Sequence, residues 1–184
     1  MSRPALFLDR DGVLDHLVWY ESHQEWESPR VPEDVAMIDG AAQAVRDAAA
    51  LGYLVFVVSN QPSAAKGKVP IESLHAVHDV IVERLDGAPI AEFFYCYHRA
   101  EDLCSCRKPS PQVVLDAAKA YDVDLSQSWF VGDQDGDIGC GRRAGCRTAL
   151  LQYAHSKPKR GAERPDQTFP DLAHFIRWLA QQDR

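Results

Sequence analysis

The chain has 184 residues, 46% of them hydrophobic and 26% charged, which suits a globular protein able to bury a full core without staples. Its formal charge of -7 argues against a surface that tracks a nucleic-acid backbone, although a small anion answers only to the local field. No apolar run approaches the roughly 18 residues of a membrane span, and Met1 to Arg10 shows no basic segment leading into an apolar core, so a cytoplasmic protein is expected.

Ala5 to Leu8 is a short apolar run, as in a buried strand of a parallel sheet, and it ends in Asp9-Arg10-Asp11-Gly12. The polar, aromatic-rich stretch from Asp15 to Pro32, with Trp19, Tyr20 and Trp26, has weak periodicity and reads as a loop or lid. An alanine-rich helix is expected from Gly40 to Leu51, closed by Gly52. Tyr53 to Val58 reads as a second buried strand, followed by Ser59-Asn60-Gln61-Pro62. Ile71, Leu74, Val77, Val80, Ile81 and Leu85 have helical spacing.

Ile90 to Tyr97 reads as an aromatic strand, Pro111 to Tyr121 as a helix, and Trp129 to Val131 as a fourth strand ending at Gly132-Asp133. A helix from Asp137 to Ala144, a strand from Thr148 to Leu151 and a basic loop from Lys157 to Pro165 follow. The closing helix places Leu172, Phe175, Ile176 and Leu179 on one face. Strands alternating with helices predict an α/β fold with a mainly parallel sheet. No repeat or linker divides the chain, so one domain over 1–184 is expected. No heptad or long exposed apolar helix marks an interface, which makes a monomer the default.

In such a sheet, ligands bind beyond the carboxyl ends of the strands. Asp9 and Asp11, Ser59 and Asn60, and Asp133 all fall there, with Lys108 in a loop before a helix. Cleaving a phosphate monoester is among the slowest uncatalysed reactions, with enzymic accelerations approaching ~10²¹-fold. It demands a nucleophile, a proton donor for the leaving alkoxide, and positive charge around the phosphoryl oxygens. Asp9 can attack as a carboxylate, and Asp11 stands close enough to move the proton. Asp9 and Asp133 offer the hard oxygen ligands that Mg²⁺ takes, while Lys108 and Ser59 can bind phosphate oxygens. Taken singly, Asp-x-Asp-Gly is a common turn, Lys108 an ordinary solvated lysine, and Asp137 a helix N-cap. Their order at successive strand ends is what points to chemistry.

Four segments carry a resemblance: Asp9-Arg10-Asp11-Gly12, Val57-Val58-Ser59-Asn60, Arg107-Lys108-Pro109, and Val131-Gly132-Asp133 through Asp137. They resemble the motifs of the haloacid dehalogenase superfamily phosphatases. Phe7 to Val13 and Cys104-Ser105-Cys106-Arg107-Lys108-Pro109 are similar to the branch that acts on heptose bisphosphates and histidinol phosphate. The resemblance implies a Rossmann-like three-layer sandwich with the first strand central and little or no cap domain. It implies Asp9 as nucleophile, Asp11 as general acid/base, and magnesium on Asp9, the Asp11 backbone carbonyl and Asp133. Ser59, Asn60 and Lys108 would contact the transferring phosphate, Arg107 the rest of the substrate, and Asp137 would orient Lys108 or a metal-bound water. A phosphosugar, with a heptose bisphosphate as the named expectation, stands against histidinol phosphate. A noncatalytic phosphometabolite-binding role stands as the reading of another class, disfavoured because Asp9, Asp11 and Asp133 are all present.

Of the five cysteines, Cys96, Cys104 and Cys106 fall within eleven residues, beside His98. Three thiolates and an imidazole make a closed tetrahedral set, the pattern of structural zinc, and the same four residues match the zinc ligands of the resembling branch. Cys140 and Cys146 are expected in the core or as spectators. Departures from the family pattern are Tyr97 between the first two ligands and Gln61-Pro62-Ser63-Ala64-Ala65-Lys66-Gly67 in the phosphate loop. The aromatics of 15–32 could stack on a sugar face, and Lys66, Lys68 and Arg107 could take a second phosphate.

Overall fold

The structure, a computed structural model, describes residues 2–182; Met1, Asp183 and Arg184, the ends of the domain expected over 1–184, lie outside the described residues. Strand β1 (Ala5–Leu8) is buried along its whole length. A two-stranded antiparallel hairpin follows, β2 (Val18–Tyr20) and β3 (Glu25–Glu27), with Trp19 opposite Trp26. Then come α1 (Ala41–Ala50), β4 (Leu54–Asn60), α2 (Ile71–Arg84), β5 (Glu92–Cys96), α3 (Gln112–Tyr121), β6 (Trp129–Gly132) and α4 (Asp135–Ala144). The chain closes with β7 (Arg147–Leu151), β8 (Gln167–Phe169) and α5 (Leu172–Gln182).

Six strands form one parallel sheet in the order β5-β4-β1-β6-β7-β8, with β1 near its centre. Side chains alternate across the pleat, so β1 sends Leu6 and Leu8 to one face and Ala5 and Phe7 to the other. Leu6 and Leu8 pack with Val55, Val57 and Val131 beneath α1, α2 and α5. Phe7 packs with Phe56 and Phe130 beneath α3 and α4, and Cys140 and Cys146 lie in this second layer as buried apolar groups. The result is a helix–sheet–helix sandwich. Among the described residues no helix is long and apolar enough to cross a membrane.

Three local expectations change. The 15–32 segment is not simply a loop, because it contains the β2–β3 hairpin; three-residue strands are too short to show alternation. The 157–165 loop begins within a 3₁₀ turn over Ala154–Lys159, and β8, at three residues, is likewise too short to show alternation. Asp137 is not a helix N-cap: α4 starts at Asp135 with Gln134 as its cap, and the Asp137 carboxylate reaches back to accept from the Gln134 N–H at 3.0 Å.

The hairpin is fastened to the sandwich by charge. Glu27, only 15% exposed at its side chain, pairs with both Arg30 and Lys68, and the Arg30 guanidinium lies 3.8 Å over the Tyr20 ring. Burial alone would raise the Glu27 carboxyl, but hydrogen bonds from Lys68 and Arg30 outweigh it and hold the group at about 2. A depressed carboxyl contributes stability that is present above its unfolded value of 4.5 and fades as pH falls toward 2. Urea melts of wild type and Glu27→Gln should therefore show a gap in stability at pH 6 that narrows progressively below pH 4.5; a gap independent of pH would mean the ion pairs contribute nothing to fastening the hairpin.

Candidate active site

The carboxyl ends of β1, β4 and β6 bring Asp9, Ser59 and Asp133 to one place. Asp9 directly follows β1, and its N–H donates to the Val131 carbonyl at 2.9 Å, which fixes it beside β6. Gly12 turns the chain back with φ +79°, and a Cβ there would sit 2.3 Å from Asp133 Oδ2. Gly132 is constrained in the same way, since a Cβ would meet the Asp137 side chain at 2.3 Å. Side chains are absent at these two positions because two aspartates occupy the space.

Lys108 enters from the loop before α3 and is buried to 6% exposure. Its ammonium pairs with Asp9 Oδ1 at 2.8 Å and Asp137 Oδ1 at 2.7 Å, and donates to the Val58 carbonyl at 2.7 Å. Burial would lower the Lys108 pKa, but the Asp137 and Asp9 carboxylates outweigh it and hold the ammonium charged. Asn60 steadies the lysine's backbone: its side-chain amide donates to the Lys108 carbonyl and accepts from the Lys108 N–H, both at 3.1 Å. One N–H and the carbonyl of the Asn60 amide are thus engaged with Lys108.

Asp11 is held by Ser59 and by three residues that the sequence motifs do not mark for this role, Arg10, Gln61 and Ser28. Arg10, 1% exposed, donates to Asp11 Oδ1 through Nε at 3.3 Å and through a terminal nitrogen at 2.7 Å. Gln61 Nε2 donates to Asp11 Oδ2 at 2.6 Å, Ser28 Oγ at 3.0 Å and Ser59 Oγ at 3.4 Å. Behind Arg10 lies the fully buried Asp15, 3.8 Å from Nε, so the guanidinium is itself pinned. Only the position of Arg10 between Asp9 and Asp11 hinted at this role, and a buried arginine cannot be told from an exposed one in sequence.

Asp9, Asp133 and Asp137 place one carboxylate oxygen each within 4.8 Å of one another. Burial, then the Asp137 charge, raise the Asp9 carboxyl to about 7 despite the opposing pull of Lys108. Burial, followed by Asp137 and Asp9, pushes the Asp133 carboxyl well up. Three carboxylates against one ammonium leave a surplus of buried negative charge, and Asp133 Oδ1 is buried without a hydrogen-bond partner. Both features fit a hard divalent cation. Asp137 is the least available of the three ligands, since Oδ1 faces Lys108 and Oδ2 accepts from the Asp133 and Gln134 N–H groups.

Above this floor opens a cleft of about 660 Å³, walled by the hairpin, the phosphate loop, Arg107 and the 154–159 turn. Trp26 stacks on His155 with ring centroids 3.5 Å apart and 19° between planes, and both line the cleft with Trp19. Lys66, Arg107 and Lys159 bring positive charge to the same walls, whereas Lys68 is committed to Glu27. Lys159 belongs to the stretch that reads as a basic loop over 157–165, and His155 lies just before it, where the sequence shows no motif.

Next to Arg107, the four zinc-type ligands converge. Cys106 Sγ lies 3.1 Å from Cys96 Sγ, 3.5 Å from Cys104 Sγ and 3.2 Å from His98 Nδ1, and Cys96 Sγ lies 3.5 Å from Cys104 Sγ. All four ligand atoms fall within 4.8 Å of one another, a closed donor set compatible with structural zinc. Arg107 donates to the His98 carbonyl at 3.1 Å, so the ligand loop and the cleft wall are one unit.

Comparison with known proteins agrees with this geometry. Residues 105–175 match the family described as HAD-hydrolase-like. A D-glycero-beta-D-manno-heptose-1,7-bisphosphate 7-phosphatase of Pseudomonas aeruginosa is 34% identical over 98% of this chain and 100% of its own length. The D-glycero-D-manno-heptose-1,7-bisphosphate 7-phosphatase of Thermosynechococcus vestitus is also 34% identical, covering 97% of this chain and 96% of its own. Among solved structures, the D,D-heptose 1,7-bisphosphate phosphatase of Bordetella bronchiseptica, complexed with magnesium and phosphate, superposes with a TM-score of 0.84 at 29% identity, covering 97% and 99% of the two chains. The chain belongs to the haloacid dehalogenase-like hydrolases. Within them it is a phosphatase of the branch to which the heptose bisphosphate enzymes belong.

Elemental analysis of the purified protein should find zinc near one atom per chain, lost in Cys104→Ser. Stripping it should lower the melting temperature, because a closed site's binding energy is folding energy. A fully loaded sample whose melt is unmoved by chelation would rule out a structural role for the cluster.

Proposed function

We propose that this protein is a magnesium-dependent phosphatase that removes one phosphate from D-glycero-D-manno-heptose 1,7-bisphosphate, with Asp9 as nucleophile and Asp11 as general acid and base. The observation that carries the proposal is the position of Asp9 Oδ1, 2.8 Å from the buried Lys108 ammonium at the floor of a cleft that Asp11 also lines. Relatives 34% identical over nearly the full chain, named for the heptose bisphosphate, support the substrate. Asp9, the Asp11 backbone carbonyl and Asp133 would hold Mg²⁺, which supplies charge neutralisation between these carboxylates and the phosphate dianion. A single catalytic domain over 1–184, acting as a monomer in the cytoplasm, is part of the same proposal.

Lys108 and the Arg10 N–H both engage Asp9 Oδ1, leaving Oδ2 as the attacking oxygen. Its bond to phosphorus forms as the phosphorus–oxygen bond to the sugar breaks, and Asp11 gives its proton to the departing alkoxide. Asp11 then takes a proton from water, whose oxygen attacks the aspartyl-phosphate and releases inorganic phosphate. Lys108 and Ser59 serve the phosphoryl oxygens, and Asn60 and Asp137 keep Lys108 in place. The Trp26–His155 stack and the cations Lys66, Arg107 and Lys159 suit a hydroxylated chain that carries a second phosphate.

Phosphate release with Mg²⁺ should be measured on both heptose 1,7-bisphosphate anomers, histidinol phosphate and simple sugar monophosphates. The expected result is preference for a heptose bisphosphate, abolished in Asp9→Asn, and a loss of roughly 10²–10⁴-fold in kcat for Asp11→Asn. Preference for histidinol phosphate would reject the substrate, and activity retained by Asp9→Asn would reject the mechanism.

A further inference from the structure

The 154–159 turn between β7 and β8 reaches the Asp133 carboxylate at the end of β6. Ser156 is fully buried, and its hydroxyl donates to Asp133 Oδ2. Arg160 donates through Nε to the Asp133 carbonyl at 2.8 Å and through a terminal nitrogen to the Tyr153 carbonyl. The residues beyond are tied to the start of α4, where the Asp135 carboxylate accepts from the N–H groups of Gly161 at 3.1 Å, Ala162 at 2.8 Å and Glu163 at 3.3 Å. The chain is therefore strapped across the end of β6 by bonds to Asp133 and Asp135.

A carboxylate turns readily about its Cβ–Cγ bond unless one oxygen is held. Asp133 shares its space with the Asp9 and Asp137 carboxylates, each offering an oxygen within 4.8 Å of the others. Its two oxygens are treated unequally: Oδ2 takes the Ser156 hydroxyl, and Oδ1 is buried with no hydrogen-bond partner. An orphaned buried oxygen on a carboxylate whose other oxygen is satisfied is the arrangement of a metal ligand held by an outer hydrogen bond.

We infer that Ser156 is a positioning residue for the divalent cation: its hydroxyl takes up Asp133 Oδ2 and thereby presents Oδ1 to the ion, while Arg160 holds the Asp133 backbone. The inference rests on the proposed role of Asp133 as a magnesium ligand. It assigns a task to a segment in which sequence shows no motif. Ser156 touches neither substrate nor phosphate in this role, so its effect is on cation affinity before any turnover.

Calorimetric titration of the metal-free, zinc-loaded protein with MgCl₂ tests this without substrate. Ser156→Ala and Ser156→Gly should each weaken Mg²⁺ binding by roughly 10–100-fold, the usual consequence of removing an outer-shell partner. Ser156→Thr, which keeps the hydroxyl, should recover most of the affinity, and Arg160→Met should weaken it less than Ser156→Ala. Thermal melts of the magnesium-free variants report folding separately, so a variant that folds and binds Mg²⁺ like wild type overturns the inference. Binding lost in Asp133→Asn but unchanged in both Ser156→Ala and Ser156→Gly would leave the proposed function standing and remove Ser156 from it. A wild type that takes up no Mg²⁺ would overturn both.

Discussion

The buried ammonium of Lys108 is the interaction on which the site depends. It contacts Asp9 after β1, the Val58 carbonyl within β4 and Asp137 in α4, so one cation joins three elements of the sheet's carboxyl edge. Removing a lone lysine from water would be prohibitive, and its charge survives only because two carboxylates meet it at 2.7–2.8 Å. The dependence also runs the other way. Lys108 pulls the Asp9 carboxyl down, and even against that pull burial and the Asp137 charge hold it raised at about 7. The floor is therefore a negatively biased cage, suited to one further cation and, through that cation, to a phosphate.

Around the cage the structure separates two duties. Arg10, Gln61, Ser28 and Ser59 fix the Asp11 carboxylate by both oxygens, so the proposed proton carrier is placed by the protein's own side chains before any substrate binds. The hairpin, the zinc-type loop and the 154–159 turn instead shape the walls. Each wall has its own fastening, the hairpin by Glu27 to Lys68, the loop by its four converging ligands and the turn by Asp133 and Asp135, and the Trp26–His155 stack joins hairpin to turn. Where these walls touch no residue of the floor they can vary in length and character without disturbing it, which is how one fold accommodates many phosphate esters.

The central strands were legible because a buried parallel strand needs an unbroken apolar run, and Ala5–Leu8 and Trp129–Gly132 have one. Helices α2 and α5 are legible from apolar spacing and α1 from its alanine run closed by Gly52, while β4 extends two residues beyond its apolar run to carry Ser59 and Asn60 at its end. The hairpin and β8, at three residues each, are too short for any period to register. Asp137 was misplaced at the helix start because Asp favours caps, while here its carboxylate works from the first turn backward.

The sequence by itself determined the fold class, the order of the strand-end motifs, and the chemistry of a Cys/His donor set, since composition, periodicity and local spacing are properties of the chain. What only the tertiary structure decided was which groups meet: Lys108 with Asp9 and Asp137, Arg10 and Gln61 on Asp11, Ser156 on Asp133, and His155 on Trp26. All but Arg10 on Asp11 lie far apart along the chain. Their proximity follows from strand order and from burial, which turn an ordinary serine, glutamine or arginine into the partner of a charge that water can no longer reach.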